Sequence, residues 1–364
     1  MRKIILPAAA LVVLLAASAC ARFRVQELKA SRLFSIPLLA AFPHLAKPSE
    51  TEARPLNLTG IAVSPAVQDN RLYLPDVSGG KVRVFQGSGD KPDWIIADKL
   101  GAEEADLIRI KPGAPGQIAA DEEDDVFVQV FETVADEKTE PDLPPERRQT
   151  EKMNASMFAS APSRIVHIHD GAAVGSFGQE GRDTPPFERI LQMQAHEATL
   201  YVFHEVQGKR LLSVFQKDAL VKKYENFNIS DLNTYKYALD IENIVPVQNG
   251  VLVSATLRDK TTFTPTDRRV YSWDGTNASL IHTIDDENDQ FLSGSQDGGF
   301  VLANAEEGNR LLLKIYSPAG EYLNNRRIVL PDFRTGWREV HIDMTGRVLM
   351  TRIQQGQFEM YEWK

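Results

Sequence analysis

The chain contains one cysteine among its 364 residues, Cys20, and that cysteine lies near the N-terminus. No disulfide can form within the chain, so its fold must be stabilised by a packed core. Acidic residues outnumber basic ones by 50 to 41, and no basic stripe offsets the resulting formal charge of −9. Because nucleic acids are held largely through contacts between cations and phosphates, we expect no nucleic-acid partner.

Motifs of several common enzyme classes are also missing. The run Gly175-Ser176-Phe177-Gly178 lacks the spacing of a nucleophile elbow. No glycine-rich phosphate loop stands between a predicted strand and a predicted helix. The apolar run from residue 4 to residue 17 is too short to span a bilayer comfortably. The sequence therefore predicts neither a serine hydrolase of the elbow type nor a nucleotide-binding enzyme.

The first twenty residues have the order of a secretion signal. A positive segment, Met1-Arg2-Lys3, precedes the apolar run, and the small residues Ala17-Ser18-Ala19 precede Cys20. This order resembles the signal peptide of bacterial lipoproteins, in which cleavage before the cysteine exposes that residue for lipidation. We therefore predict a signal peptide at residues 1 to 19 and lipidation of Cys20. Ordinary secretion and an uncleaved membrane anchor are the alternatives.

Processing at this point changes both the charge and the expected location. Loss of Arg2 and Lys3 leaves 39 basic against 50 acidic residues, a charge of −11. Several acyl chains on Cys20 would anchor the protein stably to a membrane of the cell envelope. Ala21 stands where some lipoproteins carry an acidic residue that retains them at the inner membrane. We therefore expect the outer membrane or the cell surface, with residues 20 to 31 as a tether.

A short strand motif recurs along the rest of the chain. Its clearest form is residues 310 to 316, an alternating strand that begins at Arg310 and ends before a Pro-Gly turn. Weaker copies begin at Lys81, Arg164, Arg210, Arg269 and Gln357. Repeats at this spacing predict a solenoid or a propeller.

Each copy belongs to a unit of four predicted strands, which we call a, b, c and d. Six such units can be traced, but the sixth ends with its strand c. An unpaired outer edge would expose backbone donors and acceptors, and the isolated strand at residues 32 to 38 can cover it. Pro37 suits that outermost position. The sequence therefore predicts an all-β fold, a six-bladed β-propeller over residues 32 to 364 that is closed by an N-terminal strand.

The first unit also carries a resemblance to a known family. Residues 60 to 63 (Gly-Ile-Ala-Val), 72 to 76 (Leu-Tyr-Leu-Pro-Asp) and 81 to 85 (Lys-Val-Arg-Val-Phe) look like the repeat of six-bladed propellers of the NHL type. The whole chain is similar to propeller lipoproteins of bacteria, spirochaetes among them, whose functions are mostly unassigned. This resemblance implies a fold and an anchor, and a fold alone does not define a function.

The predicted connections differ in length between the two faces of the propeller. The a–b and c–d turns are short, whereas long insertions occur in b–c and d–a connections, at residues 97 to 115, 132 to 162, 226 to 240 and 258 to 267. Binding usually resides in long loops on a rigid scaffold, so we expect an unknown protein or small-molecule ligand on this face, away from the tether. A disordered insertion at 132 to 162 is the alternative. We expect a monomer.

Two clusters of ligand-type residues invite a metal interpretation. Residues 121 to 125, Asp-Glu-Glu-Asp-Asp, offer carboxylates for calcium but lack the spacing of an EF-hand, so a solvated turn is favoured. His167 and His169 share one face of a strand and are a possible start of a zinc site. No further ligands follow at a recognisable spacing, which favours a surface pair. We assign no metal ligands and no catalytic residues.

The innermost strands of a propeller line its channel, where an enzyme of this fold keeps its functional groups. In six-bladed hydrolases of the lactonase type, acidic and amide side chains hold a channel calcium. Polar candidates in or beside the predicted inner strands are Gln192, Gln194, Glu242, Asn243, Glu339, His341 and Asp343. They permit a calcium-dependent hydrolase without specifying one. The favoured interpretation is a non-catalytic binding protein without a cofactor.

Overall fold

A computed structural model provides the coordinates, and the structure describes only part of the chain. The described residues are 25–37, 66–68, 71–76, 80–98, 105–111, 113–121, 124–131, 162–178, 186–225, 227, 229, 235–247, 250–295, 297–307, 309–330, 337–342, 347–354 and 356–363. Within these residues the regular secondary structure consists of strands, and no helix is long and apolar enough to cross a membrane.

Twenty-six strands are found in the described ranges. The first three blades contain β3 (Ala66–Gln68), β4 (Arg71–Asp76), β5 (Lys81–Gln86), β6 (Trp94–Ala97) and β7 (Asp106–Arg109), then β8 (Ala114–Ala120), β9 (Asp125–Phe131), β10 (Ser163–His169) and β11 (Ala172–Phe177), then β12 (Arg189–His196), β13 (Thr199–Val206), β14 (Lys209–Gln216) and β15 (Ala219–Tyr224).

The last three blades follow the same order. They contain β16 (Tyr237–Val247), β17 (Gly250–Asp259), β18 (Pro265–Trp273) and β19 (Ala278–Thr283), then β20 (Asp289–Gly294), β21 (Phe300–Glu306), β22 (Arg310–Tyr316) and β23 (Tyr322–Val329), then β24 (Trp337–Ile342), β25 (Val348–Gln354) and β26 (Gln357–Trp363). Two N-terminal strands, β1 (Gln26–Leu28) and β2 (Ala30–Pro37), complete the set.

These strands form six sheets, and each sheet has an antiparallel meander of strands that are consecutive in the chain, with β1, β2 and β7 added at outer edges. The first strands of neighbouring sheets contact each other, as β8 does with β12 and β16 does with β20, so they lie nearest the axis. The fold is a six-bladed β-propeller. The predicted all-β propeller class is confirmed.

Tight turns between strands follow from residues that accept positive φ. Asp170 and Gly171, between β10 and β11, have φ of 48° and 72°, and Lys217 and Asp218, between β14 and β15, have φ of 46° and 63°. Positive φ at both central residues is the signature of a type I′ turn, whose twist matches that of the flanking strands. Such turns place the c–d corners of neighbouring blades side by side.

The N-terminal strands join two different blades. Strand β2 pairs antiparallel with β26 at the outer edge of blade six, and β1 pairs in parallel with β23 at the outer edge of blade five. Residues 26 to 28, which lie in the predicted tether, are thus part of a sheet, because Leu28 is buried with Ile328 and Trp363. The polar residues around Leu28 conceal this burial in the sequence.

A second unexpected strand is β7, which lies within the connection predicted as a loop at residues 97 to 115. It pairs in parallel with β6, and its Ile108 packs against the core. The predicted inner strand of the first unit, residues 59 to 63, lies outside the described residues, as do most of residues 132 to 162.

Apolar side chains between the sheets form the core. Five buried clusters among the described residues each join one blade to the next, from blades one and two through to blades five and six. Between blades six and one, the backbone N–H of Ser35 donates to Ser88 Oγ at 3.0 Å. A repeating interface of this kind fixes the angle between blades and so fixes the positions of the inner strands.

Candidate functional site

The predicted channel residues lie on innermost strands of three blades. Gln192 and Gln194 are on β12, Glu242 and Asn243 are on β16, and Glu339 and His341 are on β24. Asp343 lies outside the described residues. Side-chain positions are described for the two pairs on the neighbouring blades three and four.

A β-bulge occurs at nearly the same point on several inner strands. The pairing of β12 with β13 shifts between Ile190 and Gln192, and that of β16 with β17 shifts between Ile241 and Asn243. The skipped residue is Leu191 in blade three and Glu242 in blade four. Bulges re-aim side chains, so the bulge in blade four presents a carboxylate where blade three presents an apolar group.

Glu242 is exposed and is held in place by its neighbouring strand. Its carboxylate accepts a hydrogen bond from Thr256 Oγ1 at 2.5 Å and one from Ser254 Oγ at 3.4 Å. Both hydroxyls come from β17, which is the next strand outward. The negative charge of Glu242 is therefore oriented rather than free to sample rotamers.

Two amide oxygens on the inner strands of blades three and four lack donors. Gln194 Oε1 and Asn243 Oδ1 are buried and have no hydrogen-bond partner. A buried acceptor that stays unsatisfied costs about 1 to 3 kcal/mol, and such groups usually mark the place of a water or a ligand. Within the described part of the chain, these two oxygens are open to N–H or O–H donors.

Gln117 on β8 belongs to the same group, although the sequence did not single it out. Its Nε2 donates to the carbonyl oxygens of Leu191 at 2.9 Å and Ile190 at 3.3 Å, which joins the inner strands of blades two and three. The sequence feature that could have revealed Gln117 is an amide directly before the apolar run of an inner strand. We call this group the polar collar: Gln117, Gln192, Gln194, Glu242 and Asn243.

A calcium site does not fit the described part of the collar. Ca²⁺ takes six to eight oxygen ligands, with carboxylates prominent among them. Glu242 is the one carboxylate of the collar, and it already accepts two hydroxyl hydrogen bonds. Among the residues whose side chains are described, no cluster of three or more His, Cys, Asp and Glu could hold a metal.

Of the predicted surface pair, His169 is exposed, whereas His167 is largely covered. His167 Nε2 and His169 Nδ1 both lie against Asp125 Oδ1, at 2.8 and 2.7 Å, and His167 Nδ1 lies 2.6 Å from Asp218 Oδ1 in blade three. The His167 side chain is only 12% exposed. The hydrogen bond to Asp125 raises the pKa of His169. His167 therefore connects blades two and three through Asp218.

The acidic run at residues 121 to 125 likewise differs from the expected solvated turn. Asp121 and Asp125 are buried, at 4% and 6% exposure. Asp121 accepts hydrogen bonds from the backbone N–H groups of Asp125 at 3.1 Å and Ala198 at 2.8 Å. These carboxylates brace a corner between two blades, because backbone donors there need acceptors.

A cavity of about 300 Å³ opens between blades one and two. Most of the residues that line it are apolar, and Arg71, Asp124 and Asp170 add charged groups. None of its lining residues belongs to the polar collar. It is therefore a second concave site, at the blade corners instead of the inner strands.

Comparisons with known proteins show likeness of fold. No family model and no curated protein matches the sequence. Acylaminoacyl peptidase from Pyrococcus horikoshii is 13% identical, with a TM-score of 0.42, over 83% of this chain and 51% of that chain. The chain thus spans about half the length of that enzyme.

Two further solved structures are similar at the same level. Prolyl oligopeptidase B from Galerina marginata is 13% identical, with a TM-score of 0.39, over 77% of this chain and 36% of that chain. The β-propeller domain of Cps50 (Swd1) from Myceliophteria thermophila is 8% identical, with a TM-score of 0.35, over 80% of this chain and 92% of that chain. These similarities concern the fold alone.

Proposed function

We propose that this chain is a lipid-anchored β-propeller of the bacterial cell envelope that binds a ligand without catalysing a reaction. Its class would be that of the NHL-like propeller lipoproteins, spirochaete proteins among them. The anchor would be lipid on Cys20 after removal of residues 1 to 19, and the location would be the outer membrane or the cell surface.

The polar collar is the observation that carries the binding proposal. It combines one oriented carboxylate, Glu242, with two buried acceptors that lack donors, Gln194 Oε1 and Asn243 Oδ1. A ligand rich in N–H or O–H groups would satisfy all three. Ligand sites of this kind combine a fixed scaffold with a few convergent polar groups.

A non-catalytic role is proposed because Glu242, Gln194 Oε1 and Asn243 Oδ1 are all hydrogen-bond acceptors, held on the inner strands of adjacent blades. Such an array matches a neutral or cationic hydrogen-bond donor. Partners on the long-loop face, a protein or a small molecule, remain part of the proposal.

Crosslinked capture from native envelopes tests the proposal. The wild-type chain and a variant lacking residues 132 to 162 would be compared with a double collar variant, Gln194→Met with Asn243→Leu. We expect a ligand or partner that the wild type retains and at least one of the two variants loses. Equal capture by all three chains would contradict a site at either place.

The hydrolase alternative has its own test. A panel of lactone and ester substrates would be assayed with and without added Ca²⁺. We expect no calcium-dependent turnover, because the collar supplies one carboxylate. Turnover that requires calcium and is lost in Glu242→Gln would replace the binding proposal with the hydrolase.

A further inference from the structure

The cavity between blades one and two has an apolar interior built by both sheets. Val84, Ile96 and Ile108 line it from blade one, and Val126 and Ile168 line it from blade two. Its volume, about 300 Å³, lies at the lower end of the range for small-molecule sites. The interior therefore suits one medium-sized apolar group.

Aromatic side chains pack at the next interface around the ring. Between blades two and three, Phe127 stacks on His167 with ring centroids 4.6 Å apart, and Phe177 and Phe215 pack with centroids 4.8 Å apart. Blade two thus presents aliphatic side chains, Val126 and Ile168, toward blade one. It presents aromatic side chains toward blade three. The cavity therefore lies where blade two presents aliphatic side chains, and aromatic rings pack on the other side of the same blade.

Charged groups of both signs stand in the lining. Arg71 Nη1 pairs with Asp124 Oδ1 at 3.1 Å, and the Arg71 guanidinium lies over the Trp94 ring, with its Cζ 5.4 Å from the centroid. Arg71 Nε is buried and has no hydrogen-bond partner. The guanidinium is therefore fixed in place with one N–H donor still unsatisfied.

The negative groups are more exposed than the cation. Asp124 is 43% exposed and Asp170 is 78% exposed. Asp170 belongs to the type I′ turn of Asp170 and Gly171, so its backbone position is fixed by that corner. Two carboxylates and one guanidinium give the lining a net negative charge alongside a buried donor.

We propose that this cavity binds a free hydrophobic α-amino acid. The apolar side chain of the ligand occupies the interior, its ammonium lies at Asp124 and Asp170, and its carboxylate accepts from Arg71. An amine alone would leave the Arg71 Nε–H group without an acceptor. A carboxylic acid alone would place an anion beside two carboxylates. A zwitterion with an apolar side chain pairs with the carboxylates and with the guanidinium, and its side chain fills the interior.

The site goes beyond the proposed function, since it shares no residue with the polar collar and does not depend on the anchor. Asn243→Leu is therefore expected to bind an amino acid as the wild type does. Loss of amino-acid binding in Asn243→Leu would overturn the assignment to this cavity, whatever the fate of the collar proposal.

Isothermal titration of the full chain with L-phenylalanine tests the proposal. Hydrocinnamate lacks the ammonium, phenethylamine lacks the carboxylate and glycine lacks the side chain. We expect one molecule of phenylalanine per chain and at least about tenfold weaker binding of each analogue. Binding of either single-charge analogue as tight as that of phenylalanine would overturn the proposal, as would absence of binding at about 1 mM phenylalanine.

Variants locate the site. Asp170 is exposed, so Asp170→Asn is expected to leave the fold intact. Asp124→Asn introduces a residue type that accepts the φ of 60° found at Asp124. Each is expected to weaken binding about tenfold. Ile108→Phe fills the interior and is expected to abolish binding, whereas Asp90→Asn, an exposed carboxylate away from the cavity, is the matched control. Full binding by Ile108→Phe, or equal losses in Asp90→Asn and Asp170→Asn, would overturn the proposal.

Discussion

At the scale of single residues, buried polar groups decide how this propeller responds to its surroundings. His204 on β13 is buried, its Nε2 lies 2.9 Å from Ser213 Oγ, and its Nδ1 has no hydrogen-bond partner. Burial, reinforced by the charge of Lys223, lowers the pKa of His204 from 6.5 to about 4. The imidazole is therefore neutral in the folded protein under conditions in which the unfolded chain takes up a proton.

The first prediction follows from this linkage. Since the pKa of His204 is lower in the folded state, its contribution to stability is complete above pH 6.5 and is lost as the pH falls toward 4, at up to about 1.4 kcal/mol per pH unit. Urea unfolding between pH 4 and pH 7 would measure it. His204→Gln is expected to show a shallower loss on acidification, and parallel curves for the two chains would contradict the prediction.

A second prediction concerns the contact between blades two and three. A Cβ at Gly175 would stand 2.3 Å from Asp218 Oδ2, so Gly175→Ala must displace Asp218 from His167. We expect a loss of about 1.5 kcal/mol in the free energy of unfolding. Gly89→Ala, where the new Cβ would meet its nearest atom at 3.7 Å, is the control. Additive effects of Gly175→Ala and Asp218→Ala would show that the two are not coupled.

A third prediction belongs to the polar collar. Replacing an unsatisfied buried amide oxygen with a methyl group removes a desolvation penalty, so Asn243→Leu is expected to stabilise the ligand-free protein by about 1 kcal/mol. Asn304→Leu is the comparison, because its Nδ2 donates to Asp286 and Asp289 and its loss should destabilise. Destabilisation of similar size in both variants would mean that Asn243 is satisfied within the protein.

At the scale of elements, the strands were predicted well and their irregularities were not. Alternating apolar residues and Gly-containing turns locate strands such as β21 and β22, because these patterns depend on neighbouring residues alone. The bulges at Glu242 and Leu191 depend on how two strands pair, which no local pattern reveals. Likewise β1 and β7 form because Leu28 and Ile108 find apolar surfaces that are distant in the sequence.

The same limit applies to the candidate site. Sequence position alone placed Gln192, Gln194, Glu242 and Asn243 on inner strands, since the strand order of a blade follows the chain. Which of their atoms lack donors depends on side-chain contacts across the sheet. The association of His167 with Asp218 depends on the contact between two blades and could not be predicted from spacing.

The fourth prediction tests closure of the ring by the N-terminal strand. Phe34 and Ile36 on β2 are fully buried, and Phe34→Ala is expected to cost about 3 to 5 kcal/mol in the free energy of unfolding. Ser31→Ala changes an exposed residue of the same strand and should cost little. Equal stability of the two variants in urea would show that β2 is dispensable for the propeller.

At the scale of the whole molecule, the proposed anchor and the scaffold would make separate contributions. The propeller requires no disulfide, since the clusters between blades, five among the described residues, supply the core. Lipid on Cys20 would determine only where the propeller resides. A change at Cys20 should therefore alter location and leave folding unchanged.

The fifth prediction follows from that separation. Cells that express the wild type and Cys20→Ser would be labelled with palmitate and fractionated. We expect incorporation and membrane association for the wild type alone, with the same unfolding transition for both purified chains. Incorporation that persists in Cys20→Ser would refute lipidation at this residue.

Pairing of β2 with β26 also dictates when the last blade can assemble. Residues 30 to 37 are synthesised more than three hundred residues before their partners at 357 to 363, as the Arg32–Glu359 ion pair illustrates with a separation of 327 residues. Contacts this distant in sequence form slowly, because the entropy of loop closure opposes them. The early strand must therefore stay unpaired through most of synthesis. A chaperone that shields extended segments would raise the yield of folded protein most strongly for chains whose C-terminal strand is delayed.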